Sequence, residues 1–499
     1  MRRSPHSDGP VRAGPAARIS PAATATPGRT PGQFVAGCRS EWLGSPAGRR
    51  IAAPPPVSPI RAGGARPLPA VQPGRPPVLD DPVHRYRAVA VFLVLEIAVL
   101  GAVLLLRGFP GMDLEVYLGG ARALAEHGDP YLGKVLTSQG VNLPFTYTPF
   151  AAAVFLLGTV TPLKLTLMAM SVASIAGLGI VVYLLQVADG RRRRTSAVVA
   201  LVVQLGAALI EPVLATLNYG QVNVFLMLAV VADVLVPWRR WPRGVLVGLA
   251  AAVKLTPLVF CLFFLLRKDF RSLARTLGTF AGVGLVMWLV APAASAKYWL
   301  HLMSDTTRMG DLWFVGNQSL RGMLARAGMG LTTSTTVVWA ALAVCALVLA
   351  AGAITAALRA GRVPLALVSC AQLGLLVSPV SWTHHWVWCA PAVVLLVWSA
   401  RTRWAADPFA AKVLAAVSAL AAVLFLTGLP WLMPFPAGSA LSWLGAESYA
   451  LIGALLLATA WWASARETTK AGGIRDEPPG GGERLVAGTG ELAGKVGDQ

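Results

Sequence analysis

Three observations predict an all-α, polytopic integral membrane protein. Apolar runs of about 16–24 residues recur along the chain, the length a helix needs to cross roughly 30 Å of hydrocarbon. Of its 499 residues 55% are hydrophobic and only 13% charged, with a mean hydropathy of +0.61. The basic residues, finally, gather in short connectors between the apolar runs: Arg191–Arg194, Arg239/Arg240/Arg243, Arg267/Lys268/Arg271, Arg359/Arg362 and Arg401/Arg403. That placement is a positive-inside bias. The net charge of +20 therefore does not mark a nucleic-acid binder, because no basic patch interleaved with aromatics forms a groove.

Residues 1–84 are rich in Pro, Ala, Gly and Arg and lack apolar periodicity, so a disordered arm is expected there. It is either a cytoplasmic arm or an over-extended start of translation. Arg2/Arg3 do not form a twin-arginine signal, since no apolar run follows until about residue 88. The membrane domain is placed at 85–465, and residues 466–499, rich in Gly and charge, form a second disordered tail.

Ten spans are predicted at about 88–107, 163–187, 196–212, 219–236, 273–291, 336–358, 363–378, 386–400, 411–428 and 447–464. With every basic connector cytoplasmic they alternate without contradiction, and both termini fall inside. Residues 145–161 must begin and end on the outer side, as a short re-entrant or juxtamembrane helix. Residues 244–266 carry basic residues at both ends and Lys254-Leu255-Thr256-Pro257 in the middle. They read as two half-helices, bringing the total to about 12 membrane helices. A helix broken at membrane depth survives only against protein or a wet cavity, which sets Lys254 at a cavity.

This topology places four polar stretches outside: the first loop 108–144, Asn218–Asn223, the loop 292–335 and Ser378–Trp386. The cytoplasmic connectors hold little beyond Arg, Lys, Pro and Gly, so the chemistry collects on one face. No repeat of 20–50 residues is present. The five cysteines (Cys38, Cys261, Cys345, Cys370, Cys389) show neither disulfide nor metal spacing and read as small apolar fillers.

In the first loop a helix opens at Met112, with Leu114, Tyr117/Leu118, Ala121 and Leu124 at three-to-four spacing, and ends at His127–Leu132. Asp113 near its start has two readings. It is an N-cap, accepting an orphan backbone N–H, or a general base whose pKa rises as it is withdrawn from water. Glu115, two residues on, points to another helix face, so the two acids are not a glycosidase pair; Glu115 is structural or contacts an acceptor. His384 and His385, between Trp382 and Trp386, belong to an interfacial aromatic belt or hold a phosphate. With His6, His84, His127 and His301 lacking ligand spacing, no metal site is expected. Lys254 snorkels or meets an anionic partner such as a lipid-linked phosphate. Arg308 and Arg321, flanking Gly316–Ser319, are rival phosphate partners. Asn218, Gln221, Asn223, Asn317 and Gln318 offer neutral groups that suit sugar hydroxyls or helix ends. Glu96 and Glu211 are intramembrane acids without an assignment. No Gly-rich phosphate loop follows a strand, which argues against a soluble nucleotide.

The ordered motifs D-L-E-V-Y (113–117), H-G-D-P-Y (127–131), L-P-F-T-Y-T-P-F (143–150), N-Y-G-Q-V-N (218–223), V-K-L-T-P (253–257), G-N-Q-S (316–319) and S-W-T-H-H-W (381–386) together resemble a known family. They are similar to the actinobacterial polyprenol-phosphate-mannose-dependent α-(1→2)-mannosyltransferases of glycosyltransferase family 87, within the GT-C superfamily. The resemblance covers roughly residues 88–464. It implies a GT-C fold with an extracytoplasmic first loop, in the plasma membrane. The reaction implied is inverting transfer of mannose from polyprenyl-phosphate-mannose to a lipid-linked mannan or phosphatidylinositol-mannoside-type acceptor. Asp113 becomes the catalytic base. His384, His385, Lys254 and Arg321 form the donor-phosphate set. Glu115, Tyr117, Tyr147, Asn218, Gln221, Asn223, Asn317 and Gln318 form the sugar and acceptor set. Thr383 departs from the pattern, standing where an acid is expected. No cofactor or metal is implied, and the oligomeric state is open.

The physical logic agrees. A polyprenyl tail cannot leave the bilayer cheaply, at about 0.8 kcal/mol per exposed CH₂, so the donor must be met at the membrane surface. The competing reading is a transporter or flippase of a lipid-linked sugar, but the irregular stretches 145–161 and 244–266 do not match as paired halves would. Another polyprenyl-phosphate sugar, such as arabinose, is the nearest rival donor.

Overall fold

The computed structural model describes residues 108–237, 241–330, 332–434 and 438–473. The arm 1–84, the span expected at 88–107, Glu96, Cys38 and the end of the C-terminal tail lie outside the described residues. The chain begins with α1 (Met112–His127), a two-stranded antiparallel ribbon of β1 (Val135–Leu136) and β2 (Asn142–Leu143), and the short α2 (Pro149–Phe155). The ribbon and a single bridge between Asn317 and Trp382 are the departures from all-α among the described residues.

Five described helices are long and apolar enough to cross a membrane: α3 (Leu163–Ala188), Phe270–Val290, Thr333–Arg359, Pro408–Thr427 and the stretch Ser448–Thr468 of the last helix. Apolar side chains along Phe270–Val290 face outward, with Leu289 75% and Val290 73% exposed. Such a surface suits lipid rather than water.

Two expected spans are corrected. The apolar run 196–212 is not one crossing: α4 (Arg193–Leu205) stops after 13 residues at Gly206, a 3₁₀ turn follows, and α5 (Glu211–Tyr219) starts afresh with Pro212 in its first turn. The run 219–236 begins with a break. α5 and α6 (Asn223–Leu235) meet at 114° across Gly220–Val222, and counting them as one broken span gives up to six among the described residues, against the about twelve expected. Gly220 makes this corner, with φ 70°. A Cβ there would lie 2.8 Å from Leu114 Cβ, so neither the left-handed backbone nor the space admits a side chain.

The broken helix at 244–266 is as expected. α7 (Val245–Val253) ends at Lys254, a 3₁₀ turn covers Thr256–Val259, and α8 (Phe260–Leu266) continues. The stretch 145–161 is the short α2 followed by a 3₁₀ turn at Leu156–Gly158.

Two apolar clusters hold the described residues together. The larger packs Val181, Ile354, Leu367, Trp386 and Leu457 from separate helices. The smaller, under α1, packs Leu114, Tyr117, Phe145 and Phe155. α3 links the two ends of the bundle. Near its start Leu167 touches the positions of Gly111 and Gly220. Just past its end Asp189 accepts from Arg362 Nε at 2.7 Å and Arg191 Nη2 at 3.1 Å. At 26 residues α3 is about 39 Å long, longer than the hydrocarbon core.

Candidate active site

Three breaks in the helical pattern face one another here: the start of α1, the Gly220 corner and the Lys254 break. Gly111, with φ 66°, is the N-cap of α1 and offers no side chain. Its N–H donates to Asn218 O at 3.0 Å, which fixes the start of α1 on the end of α5. Asp113 is therefore not the cap. It is half-buried, and its Oδ2 accepts a short hydrogen bond from Gln221 Nε2. Burial pushes its pKa up to about 6, partly opposed by the Gln221 N–H and by the nearby Lys254 cation.

Gln221 is engaged by protein through both its oxygen and its nitrogen. Its Oε1 accepts from Tyr117 OH at 2.6 Å and Tyr147 OH at 3.1 Å, while the two phenols lie 2.6 Å apart. Tyr117 is buried and stacks on Phe155 at 4.4 Å. The expected sugar contacts Tyr117 and Gln221 are thus a brace that orients Asp113.

Two residues further on, Asn223 spans to the other half of the site. Its Oδ1 accepts from Lys254 Nζ at 3.1 Å, and its Nδ2 donates to His384 O at 2.8 Å. Lys254 Nζ also lies 3.0 Å from His385 Nε2 and 5.3 Å from the Tyr147 ring centroid. The break before Thr256-Pro257 lets this side chain leave the helix. Thr148 Oγ1, capping α2, holds the last turn of α7 by bonding Ala252 O.

The two histidines differ. His385 lines a cavity together with Asn223, Lys254, Ser381 and Trp388. His384 turns instead to Tyr219, with ring centroids 5.2 Å apart, and its carbonyl takes a second hydrogen bond from Thr216 Oγ1 at 2.9 Å.

Asn317 and Gln318, expected at the sugar, are fully buried and bound to backbone. Asn317 Oδ1 accepts from Ser381 N at 2.9 Å, and Gln318 Nε2 donates to Val315 O and Ala446 O, each at 2.7 Å. Thr383 N donates to Gly316 O at 2.9 Å. This motif is the frame on which the histidine loop is built. Arg326 locks it, with a buried bidentate bridge to Glu447 and bonds to Phe314 O and Asn317 O at 2.9 Å.

The rival phosphate partners lie elsewhere. Arg321 lies over Trp339 at 5.6 Å, and Arg308 donates to Phe145 O at 2.9 Å. Glu115 accepts from Ser138 N at 2.7 Å, tying the ribbon to α1. Glu211 accepts from Trp431 Nε1 and Tyr449 OH, each at 2.8 Å, and also bonds Thr383. A carboxylate thus reaches position 383 from α5. The sequence flagged Glu211 without a role; Thr216, Arg326 and Glu447 fell in none of the motifs that the sequence singled out.

The structure therefore gathers Asp113, Tyr117, Tyr147, Gln221, Asn223, Lys254 and His385. A partly withdrawn carboxylate held by Gln221 stands near a cation that Asn223 and an imidazole hold. Such a site can take a proton on one side and receive negative charge on the other. Among the described residues, no three His, Cys, Asp or Glu side chains gather as a metal site would need.

The glycosyltransferase family 87 model matches residues 145–379. The chain is 37% identical over 298 residues to the polyprenol-phosphate-mannose-dependent α-(1-2)-phosphatidylinositol mannoside mannosyltransferase of Mycobacterium tuberculosis, covering 57% of this chain and 70% of that protein. The polyprenol-phosphate-mannose-dependent α-(1-2)-phosphatidylinositol pentamannoside mannosyltransferase of Mycolicibacterium smegmatis is 35% identical over 380 residues, covering 73% and 87%. No solved structure matches the chain significantly. The family match includes Tyr147, Gln221, Asn223 and Lys254, and the relatives are named as mannosyltransferases, which sets aside a transporter. The chain belongs to glycosyltransferase family 87, and it is a multi-pass membrane hexosyltransferase.

Proposed function

We propose that this enzyme moves mannose from polyprenyl-phosphate-mannose to a hydroxyl of a lipid-linked mannan or phosphatidylinositol-mannoside-type acceptor, outside the cytoplasm and with inversion. One observation carries the reading. Gln221 and Asn223, just past a single corner, hold the carboxylate of Asp113 and the cation of Lys254 respectively. Base and leaving-group partner are thereby set on one rigid brace. The names of the relatives supply the donor and the acceptor class.

In this mechanism Asp113 takes the proton of the acceptor hydroxyl. The acceptor oxygen bonds the anomeric carbon from one face as the bond to the phosphate oxygen breaks on the other. The electron pair leaves on polyprenyl phosphate, whose charge is met by Lys254 and His385. Tyr117, Tyr147, Gln221 and Asn223 set the geometry. No metal is needed for a phosphate leaving group so supported.

The outer location is supported by α3. Its start carries the site, and its end carries Asp189 with Arg191 and Arg362, beside Arg403 and Glu467. If the arginine end is cytoplasmic, Asp113 is on the opposite side. The test is to incubate purified protein with radiolabelled polyprenyl-phosphate-mannose and phosphatidylinositol mannosides, then determine the linkage. An α-(1→2)-mannoside, formed equally with EDTA present, is expected. With a β-mannosyl-phosphate donor, a β-linked product would contradict inversion, and loss of activity in EDTA would contradict the metal-free mechanism.

A further inference from the structure

On the side of His384 the histidine loop borders an aromatic surface. His384 turns to Tyr219, and the charges of both Asp113 and Glu211 act on the half-buried Tyr219 phenol. Beyond Glu211 three rings stand together. Phe314 lies 6.0 Å from Trp382 and 5.7 Å from Trp431, centroid to centroid, each pair edge to face. Phe314 is 43% and Trp431 40% exposed. In an interfacial belt an exposed indole turns its N–H to headgroups and water. Here the N–H is turned inward: Trp431 Nε1 donates to Glu211 at 2.8 Å, and Glu211 also holds Tyr449 and Thr383 of the histidine loop. Gly316 lies beneath the rings, where a Cβ would stand 2.9 Å from Phe314 Cε1 and 3.0 Å from Trp431 Cη2. The rings are therefore fixed, and what they present outward is carbon. Asp311, exposed, opens the turn that carries Phe314, and a carboxylate keeps that turn out of hydrocarbon.

We propose that Phe314, Trp382 and Trp431 form a glycan platform, against which the acceptor lays the sugars that lie behind the one being extended. The platform makes the enzyme prefer an acceptor with a chain of sugars to one with a single sugar. The inference rests on the proposed transfer to a glycan acceptor. A pyranose suits the surface because one face of its ring is C–H, which meets the negative face of an aromatic ring, while its hydroxyls at the edge stay in water. A lipid tail would cover the rings but lie beside an exposed carboxylate. Continuity with the catalytic groups sets the direction. Trp382 adjoins Thr383 and His384 in the chain, and Glu211 holds Thr383 and Trp431 together. Glu211 thereby becomes a positioning residue, which joins the platform to the histidine loop.

The test uses the purified full-length protein in nanodiscs and two readouts. The first is photolabelling with a diazirine-bearing mannotriose, with no donor present. Crosslinks are expected on residues 311–316, 382 and 429–432, competed by unlabelled mannotriose. The second is transfer kinetics with acceptors that carry one or three mannose units. Trp431→Ala and Phe314→Ala should each raise the KM for the three-mannose acceptor about 3- to 10-fold, the effect of one lost aromatic contact. The KM for donor, the KM for the one-mannose acceptor and the thermal midpoint should stay nearly unchanged. Trp431→Phe keeps a ring and should recover part of the loss. Trp288, an exposed ring on the span Phe270–Val290, is the control, and Trp288→Ala should leave every KM unchanged. Wild-type KM for the three-mannose acceptor in both alanine variants would overturn the platform. So would labelling of these segments by a diazirine phosphatidylcholine and not by the mannotriose, which would make them a lipid belt. Labelling by mannotriose in a protein that transfers no mannose to any acceptor would overturn the functional reading and leave the platform standing.

Discussion

A carboxylate in water is ionised well below neutral pH, and at Asp113 burial lifts that threshold to about 6. A general base works only when ionised, so kcat/KM should fall as pH drops through about 6. A pH–rate profile checks this; an acid limb near 4, where a solvated aspartate titrates, would contradict it. Gln221 donates to the carboxylate and so favours its charged form. Gln221→Leu should therefore move the acid limb to higher pH and lower kcat about tenfold or more, with a smaller change in KM. An unmoved limb would mean that Gln221 does not act through Asp113. The sequence led to Asp113 through an acid pair beside a bilayer and the family resemblance, and to Lys254 because a cation at a helix break is costly without a partner. For Gln221, Asn317 and Gln318 it left sugar hydroxyls and helix ends open, since an amide has the same chemistry toward a sugar as toward a tyrosine or a backbone carbonyl. Only coordinates show which partner it has.

The elements that place these residues are broken helices, and their legibility differed. The break at Lys254 was visible because Arg243 and Arg267 bracket one apolar run and a proline interrupts it. The corner at Gly220 was less legible: the polar stretch Asn218–Asn223 marked an outer turn, but a glycine alone does not announce a 114° bend. Gly220 has φ 70° and faces Leu114 Cβ. Gly220→Ala should therefore destabilise the protein by about 1–2 kcal/mol from the backbone alone, and more from the clash. A matched control is Gly278 in the span Phe270–Val290, where a Cβ meets nothing within 4 Å. Gly278→Ala should hold or raise the thermal midpoint, by about 0.5–1 kcal/mol of helix propensity. Equal midpoints for the two variants would show that the corner carries no strain penalty.

At the scale of the molecule, a long helix separates chemistry from charge. The composition announced the membrane, and the arginines in short connectors led to an expected sidedness. The number of crossings was less legible, because apolar length fails to distinguish a span from two short helices packed inside the bundle. The ribbon β1–β2 was missed since two-residue strands carry almost no alternation. Sidedness has its own test. Ser138 is exposed in the first loop and Arg192 is exposed past the end of α3. On intact cells, a membrane-impermeant thiol reagent should label Ser138→Cys and spare Arg192→Cys until the membrane is permeabilised. The reverse pattern would place the site in the cytoplasm.

The most direct test of the whole account compares mannosyl transfer from polyprenyl-phosphate-mannose by purified wild-type and Asp113→Asn proteins of equal thermal midpoint. The side chain keeps its size and loses its basicity. A fall in kcat of about 10²- to 10⁴-fold with donor binding retained is the predicted result. Transfer at the wild-type rate by Asp113→Asn would contradict it.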